Sequence, residues 1–134
     1  TLQPPVFAGG FGQLEVPEVF RHGGRWYCVF CTSSHHWSEA YRRDNPQPPV
    51  TGSHYLVADD PRGPWRIAPG PFLDGAEPCR RYAARILETP DGFRIMGFAD
   101  NGKAQFGGYV MDPEPVTVGP GGLLKVGPGE GAAK

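Results

Sequence analysis

The acidic residue in the most unusual sequence environment is Glu15, which lies between apolar Leu14 and Val16 at the start of a strand-like run. Pro17 fits such a run only at the start of a strand or on an edge. A carboxylate in this setting is either a solvated rim residue or a group directed into a pocket, where its surroundings adapt it to acid/base chemistry. This environment alone favours the rim position, and the case for Glu15 as the candidate catalytic residue depends on the rest of the chain.

Arg80, Arg81 and Tyr82 form a second polar cluster that could contact a substrate. Arginine suits pairs of hydroxyl groups or an acidic substituent, because its guanidinium donates several hydrogen bonds in one plane. The alternative for the two arginines is a salt bridge at the rim with Asp74 or Glu77. Both interpretations stay open from the sequence.

Two further residues each have a functional and a structural interpretation. Trp37 lies in a long polar segment and could stack on a sugar ring, or pack beneath its own loop. His54 opens a predicted strand, where a hydrogen-bonded structural histidine is favoured over a catalytic one.

Cys28-x-x-Cys31 has the spacing of a zinc or redox motif, and His35-His36 follows it. No second pair of ligands follows at metal spacing, so we predict no metal and no cofactor. With Cys79, the cysteines are an odd number and too few for a disulfide framework, which favours reduced, buried thiols. Reduced thiols favour a reducing compartment such as the cytoplasm.

The composition indicates a folded, turn-rich protein. The 134 residues carry a net charge of -1 without a run of like charge, so neither a nucleic acid nor a membrane is predicted as a partner. Gly 20 and Pro 16 are high counts, yet 12% aromatic residues argue against disorder. The sequence predicts one all-β domain.

Antiparallel strands are predicted in both halves of the chain. The first half contains a hairpin over 19–31, a long loop over 32–51 of the kind that tends to be functional, and strands over 52–58 and 65–67. The hairpin then recurs at a constant offset of 67 residues. The corresponding residues are Phe20 and Leu87, Trp26 and Phe93, and Glu15 and Tyr82; further strands are predicted over 107–111 and near 116–118.

Two units of about four antiparallel strands, at 12–70 and 80–126, are typical of two β-propeller blades, with a small β-sandwich as the alternative. Residues 1–126 would then be a partial propeller, and 127–134 a disordered tail. Because a propeller needs four to eight blades, two blades leave lateral faces bare. We therefore expect the remaining blades or self-association to cover them.

Residues 14–20, Leu-Glu-Val-Pro-Glu-Val-Phe, resemble the Glu-Cys-Pro-Asp motif region of the invertase-like glycoside hydrolases of family 32. That family belongs to a superfamily of five-bladed propellers that includes levansucrases and arabinanases. Segments 59–65, 81–85 and 107–126 are similar to this superfamily in order and spacing, the first through its Gly-Pro-Trp turn.

The resemblance implies a glycoside hydrolase that cleaves fructoside- or arabinoside-type bonds, with Glu15 as general acid/base and a carbohydrate as partner. In the retaining mechanism one carboxyl group protonates the leaving oxygen while a second, about 5 Å away, attacks the sugar. The motif that carries that nucleophile and the transition-state-stabilising Arg-Asp-Pro motif have no counterpart here. Val16 and Glu18 replace the Cys and Asp of the Glu-Cys-Pro-Asp motif. The isolated chain is therefore expected to be inactive. The alternatives are a non-catalytic carbohydrate-binding module and a structural propeller module.

Overall fold

The computed structural model describes residues 10–100 and 106–127, which form two antiparallel five-stranded sheets. Sheet one contains β1 (Glu15–His22), β2 (Arg25–Thr32), β3 (Thr51–Ala58), β4 (Arg66–Ile67) and β5 (Asp74–Ala76). Sheet two contains β6 (Arg81–Thr89), β7 (Gly92–Asp100), β8 (Phe106–Val110), β9 (Glu114–Val118) and β10 (Leu124–Val126). One helix, α1 (Glu39–Asp44), lies between β2 and β3.

Both sheets have the same strand order. Sheet one runs β1-β2-β3-β4 and sheet two runs β6-β7-β9-β10, while β5 and β8 add to β3 and β7. This is the meander of a propeller blade, as predicted, and it gives each unit five strands rather than about four. Sheet one also continues to Ala76, beyond the predicted end of the first unit at residue 70.

The hydrophobic core lies between the two sheets. Because successive side chains of a strand point to opposite faces, every second residue of β2 and β3 enters this core. The buried residues from sheet one include Tyr27, Val29, Tyr55 and Val57, and those from sheet two include Ala84, Ile86, Ile95 and Val116.

The predicted repeat is visible in the backbone. The β1–β2 pairing is interrupted by a bulge between Glu15 and Glu18, and the β6–β7 pairing by one between Tyr82 and Arg85. Val16 and Ala83 have φ angles of 45° and 50°, which non-glycine residues rarely adopt. The two bulges lie at the same repeat position, and such features are common beside active sites.

Segment 32–51, predicted as a long loop, contains a 3-10 helix (Ser34–His36) and α1. The Ser38 hydroxyl caps α1 by accepting a hydrogen bond from the Tyr41 amide at 3.1 Å. The loop prediction was therefore wrong for these residues. The predicted turn at 100–102 and tail at 127–134 lie largely outside the described residues, although the Gly127 amide donates to the Pro115 carbonyl at 2.8 Å.

Replacing Gly52 by alanine should lower the free energy of unfolding by at least about 2 kcal/mol. A Cβ atom there would lie 2.2 Å from the Asp74 carbonyl oxygen of the neighbouring strand β5, and φ is +149°. Chemical denaturation measures the effect. Gly119→Ala is the matched control, because its nearest contact would be 3.5 Å; equal stability of the two variants would contradict the prediction.

Candidate functional site

Glu15 is the first residue of β1, the end strand of sheet one, and lies where the two sheets meet. Its side chain is half-buried. One carboxylate oxygen accepts a hydrogen bond from the Gln13 side-chain amide, and the other accepts one from the Tyr82 hydroxyl. Gln13, just before β1, and Tyr82, in β6, therefore hold the carboxylate in a fixed orientation.

Tyr82 lies at the start of β6, the end strand of sheet two, at the repeat position of Glu15. Burial raises the pKa of the Tyr82 phenol well above its usual value, and the hydrogen bond to Glu15 raises it further. The hydroxyl therefore keeps its proton and acts as a donor. The sequence paired these positions by repeat register, and the structure places them in direct contact.

The β1 bulge is fixed from the other sheet. The Arg85 guanidinium approaches the Val16 carbonyl oxygen at 3.4 Å, and the Glu18 carboxylate accepts a hydrogen bond from the Ile86 amide at 2.7 Å. These contacts fasten the residues on either side of the bulge to β6. Because a bulge interrupts the alternation of side chains between the two faces of a strand, it determines the direction in which the Glu15 side chain points.

The apolar sequence neighbours of Glu15 do not enclose its carboxylate. Leu14 and Val16 are 43% and 41% exposed. The other carboxylate of β1 nearby, Glu18, accepts a hydrogen bond from the β6 backbone. The polar groups that contact Glu15 are Gln13 and Tyr82, and Gln13 carried no sequence signal.

Arg80 and Arg81 form the salt-bridge arrangement that was the alternative to substrate binding. The Arg81 side chain is fully buried and contacts Asp74 at 3.0 Å, and it also pairs with Glu114. The Arg80 side chain is more exposed than that of Arg81, and it contacts Glu114 at 2.7 Å and Asp74 at 3.4 Å. Asp74 belongs to β5 and Glu114 to β9, so Arg81 joins the two sheets and is closed to solvent.

Trp37 is 3% exposed and packs beneath its loop rather than presenting a ring face to solvent. Its indole stacks on Phe72 at 5.3 Å and lies edge-on to Tyr41 and Phe11, at 4.9 and 6.1 Å. The indole N–H donates to the Val50 carbonyl at 3.1 Å. In this chain Trp37 holds the segment between β2 and β3 against sheet one.

His54 is a buried structural residue, as favoured from the sequence. Its Nδ1 accepts a hydrogen bond from the Leu73 amide at 3.2 Å, and Nε2 lies 3.3 Å from the Ala68 carbonyl, to which it donates. Burial lowers the pKa of the imidazole to about 4. The ring is therefore neutral at pH 7.

The lowered pKa of His54 predicts that the folded protein loses stability in mild acid. The unfolded chain binds a proton below pH about 6.5, whereas the folded chain does so only near pH 4, so stability is full above 6.5 and falls between these values. From pH 7 to 5 the free energy of unfolding should fall about 2 kcal/mol more in the native chain than in His54→Gln. Urea titrations at both pH values measure the difference, and an equal fall in the native chain and in His54→Gln would contradict the prediction. The control is His35→Gln, which removes an exposed histidine and should behave as the native chain.

The cysteines are free thiols, with Cys31 and Cys79 buried and Cys28 half-buried. Burial raises the pKa of Cys79 to about 12, so this thiol remains protonated. Within 10–100 and 106–127, no cluster of three or more His, Cys, Asp or Glu side chains is arranged to hold a metal ion. The helices of these ranges are also too short to cross a membrane.

Several solved structures match most of this chain. A Bacillus subtilis levansucrase variant in complex with oligosaccharides has a TM-score of 0.63 at 16% identity, covering 87% of this chain and 28% of the levansucrase chain. The GH43B protein of a Bacteroides ovatus xyloglucan PUL has a TM-score of 0.62 at 20% identity, covering 92% and 24%. A thermostable family-43 glycoside hydrolase has a TM-score of 0.57 at 20% identity, covering 90% and 38%.

These structural neighbours are five-bladed propeller glycoside hydrolases, and at such low identity the likeness shows the fold. The chain has the fold of part of such a propeller, which confirms the predicted resemblance and replaces the sandwich alternative. It spans 28% of the levansucrase chain and 24% of GH43B. No family model and no curated protein matches the sequence.

Proposed function

We propose that this chain supplies the third and fourth blades of a five-bladed glycoside hydrolase propeller and that Glu15 is the proton-transferring carboxylate. The observation that carries the proposal is the Glu15–Tyr82 contact, made where the end strands of the two sheets meet. In a propeller, strands of this kind surround the central channel. A carboxylate fixed at that place faces a bound sugar.

The proposed reaction is hydrolysis of an O-glycosidic bond with retention. Glu15 donates a proton to the leaving oxygen as the bond to the anomeric carbon breaks, and a second carboxylate attacks that carbon. Water then attacks the glycosyl intermediate, and Glu15 takes its proton, which restores both groups. The second carboxylate comes from outside this chain, and its charge favours the protonated form of one member of the pair.

Gln13 and Tyr82 position the acid/base group in this scheme. Both donate to Glu15, one to each oxygen. The side-chain rotation of Glu15 is thereby restricted before substrate binds, which lowers the entropic cost of reaching the reactive geometry. Fructosides and arabinofuranosides are the proposed substrates.

The proposal is tested with a longer polypeptide whose reading frame is extended upstream of Thr1, called the extended polypeptide below. Its hydrolysis of a panel of glycosides is measured. Suitable probes are sucrose, an arabino-oligosaccharide and a xyloglucan fragment. We expect one of them to be cleaved, and the cleavage to be lost in Glu15→Gln. Sugar binding without cleavage of any probe would overturn the proposal in favour of a carbohydrate-binding module.

A further inference from the structure

A cleft between the two sheets lies at the opposite end of β1 from Glu15. It has a volume of about 250 Å³ and is formed by the β1–β2 turn, by side chains of β2 and by the connection between β9 and β10. The residues that line it are His22, Gly23, Arg25, Tyr27 and members of segment 118–122. Glu15 and His22 are the two ends of β1, which at about 3.3 Å per residue lie about 20 Å apart. The cleft is therefore separate from the proposed active site and is called the turn cleft below.

Glycines form one wall of the turn cleft, and their backbone holds the side chains of β2 in place. The Tyr27 hydroxyl donates a hydrogen bond to the Gly122 carbonyl at 2.9 Å, and the Arg25 guanidinium donates one to the Gly121 carbonyl through Nη1. At Gly122, where φ is +75°, a Cβ atom would lie 2.8 Å from both Arg25 Nη1 and the Tyr27 hydroxyl oxygen. The position of the guanidinium therefore requires glycine at residue 122, and Arg25 is oriented before any ligand binds.

The turn cleft carries a positive charge without a neighbouring carboxylate. The described residues that line it include no aspartate and no glutamate. Among residues 10–100 and 106–127, the salt bridges do not include Arg25. One N–H group of Arg25 is bound to Gly121, and a guanidinium has several more that can bind a ligand. The His22 imidazole lies at the turn, with its ring edge-on to Phe93 at 5.2 Å.

We propose that the turn cleft binds a small molecule through a phosphate or carboxylate group. Arg25 donates hydrogen bonds to the oxygens of that group, because a planar guanidinium matches either anion in geometry and charge. His22 is a further hydrogen-bond donor from the turn. Pockets for drug-sized ligands have volumes of about 300–1,000 Å³, so a cleft of about 250 Å³ suits a ligand the size of one acidic sugar. The inference depends on the two described sheets and is independent of the proposed glycosidase activity.

Isothermal titration calorimetry of the 134-residue chain tests the proposal with four probes: inorganic phosphate, glucose 6-phosphate, glucuronate and glucose. We expect at least one of the three anions to bind at least about tenfold more tightly than glucose, because hydrogen bonds to a charged group are stronger than neutral ones. The tighter of glucose 6-phosphate and glucuronate identifies the preferred acidic group, and inorganic phosphate shows what the sugar ring adds. Absence of binding by every anion, or equal binding of glucose, would overturn the proposal.

Variants of the lining residues locate the binding site. Arg25→Gln should weaken binding of the preferred anion at least about tenfold. Gly122→Ala should weaken it similarly, because the added Cβ displaces the guanidinium while the net charge stays the same. Arg43→Gln is the matched control: it removes an equal charge from an exposed residue of α1 outside the cleft and should keep the native affinity.

The exposed turn residue His22 gives a variant that leaves the core intact. His22→Ala should weaken binding about two- to tenfold, the effect of losing one hydrogen bond. Far-UV circular dichroism shows whether each variant is folded. Native affinity in folded Arg25→Gln or in His22→Ala, or a loss in Arg43→Gln equal to that in Arg25→Gln, would overturn the proposal.

Discussion

Glu15→Ala is expected to lower kcat of the extended polypeptide on an oligosaccharide by about 10²- to 10⁴-fold, the range for loss of a general acid/base. The large effect follows because a sugar alkoxide leaves poorly without a proton, and no other described side chain shares the position of Glu15 between Gln13 and Tyr82. Steady-state kinetics measure the loss. Far-UV circular dichroism should show an unchanged fold.

The matched control is Glu88→Ala. Glu88 is an exposed carboxylate of β6 and lies far along the strand from Tyr82. This variant should retain native kcat, because the substitution removes a similar charge without touching the site. An equal loss in both variants, or no loss in either, would remove Glu15 from the mechanism.

Arg81→Ala should lower the free energy of unfolding by about 3–5 kcal/mol, the usual result of removing one partner from a buried charged network. The Arg81 guanidinium is fully buried and pairs with Asp74 of sheet one and Glu114 of sheet two. Its loss leaves two carboxylates whose remaining ion pairs, among residues 10–100 and 106–127, are those with Arg80. Urea denaturation followed by tryptophan fluorescence measures the change.

Arg80→Ala provides the comparison within the same network. The Arg80 side chain is 48% exposed and contacts the same two carboxylates. Because water screens its ion pairs, the variant should lose only about 0–1 kcal/mol. If Arg80→Ala were as destabilising as Arg81→Ala, burial would not be what makes Arg81 important.

The parts of the fold that the sequence predicted well are those encoded by local patterns. The hairpin turns at glycine and the alternation of β-branched and aromatic residues mark strands, and their recurrence fixes the register of the two units. That register also paired Glu15 with Tyr82, whose side chains are in contact in the structure. The bulges at Val16 and Ala83 had no comparable signal, because neither residue type favours a positive φ.

Two side chains considered as substrate contacts, those of Arg81 and Trp37, pack instead against residues that are distant in the sequence. Arg81 reaches Glu114, 33 residues away, and Trp37 is covered by Phe72 and Phe11. Sequence spacing cannot show which arginine of a pair turns inward or which side of a tryptophan is covered. The helix α1 did have a local signal, Ser38 followed by Glu39 and Ala40, but the prolines that follow the helix favoured a loop.

The most direct test of Glu15 as the acid/base group is the dependence of kcat/KM on the leaving group. The extended polypeptide and its Glu15→Ala variant are assayed on arabinofuranosides or fructosides that carry either a dinitrophenyl or an alkyl leaving group. Dinitrophenolate leaves without protonation, so the variant should lose less than about tenfold on the aryl substrate and at least about 10²-fold on the alkyl one. Equal losses on both substrates would contradict the assignment of Glu15 as the proton donor.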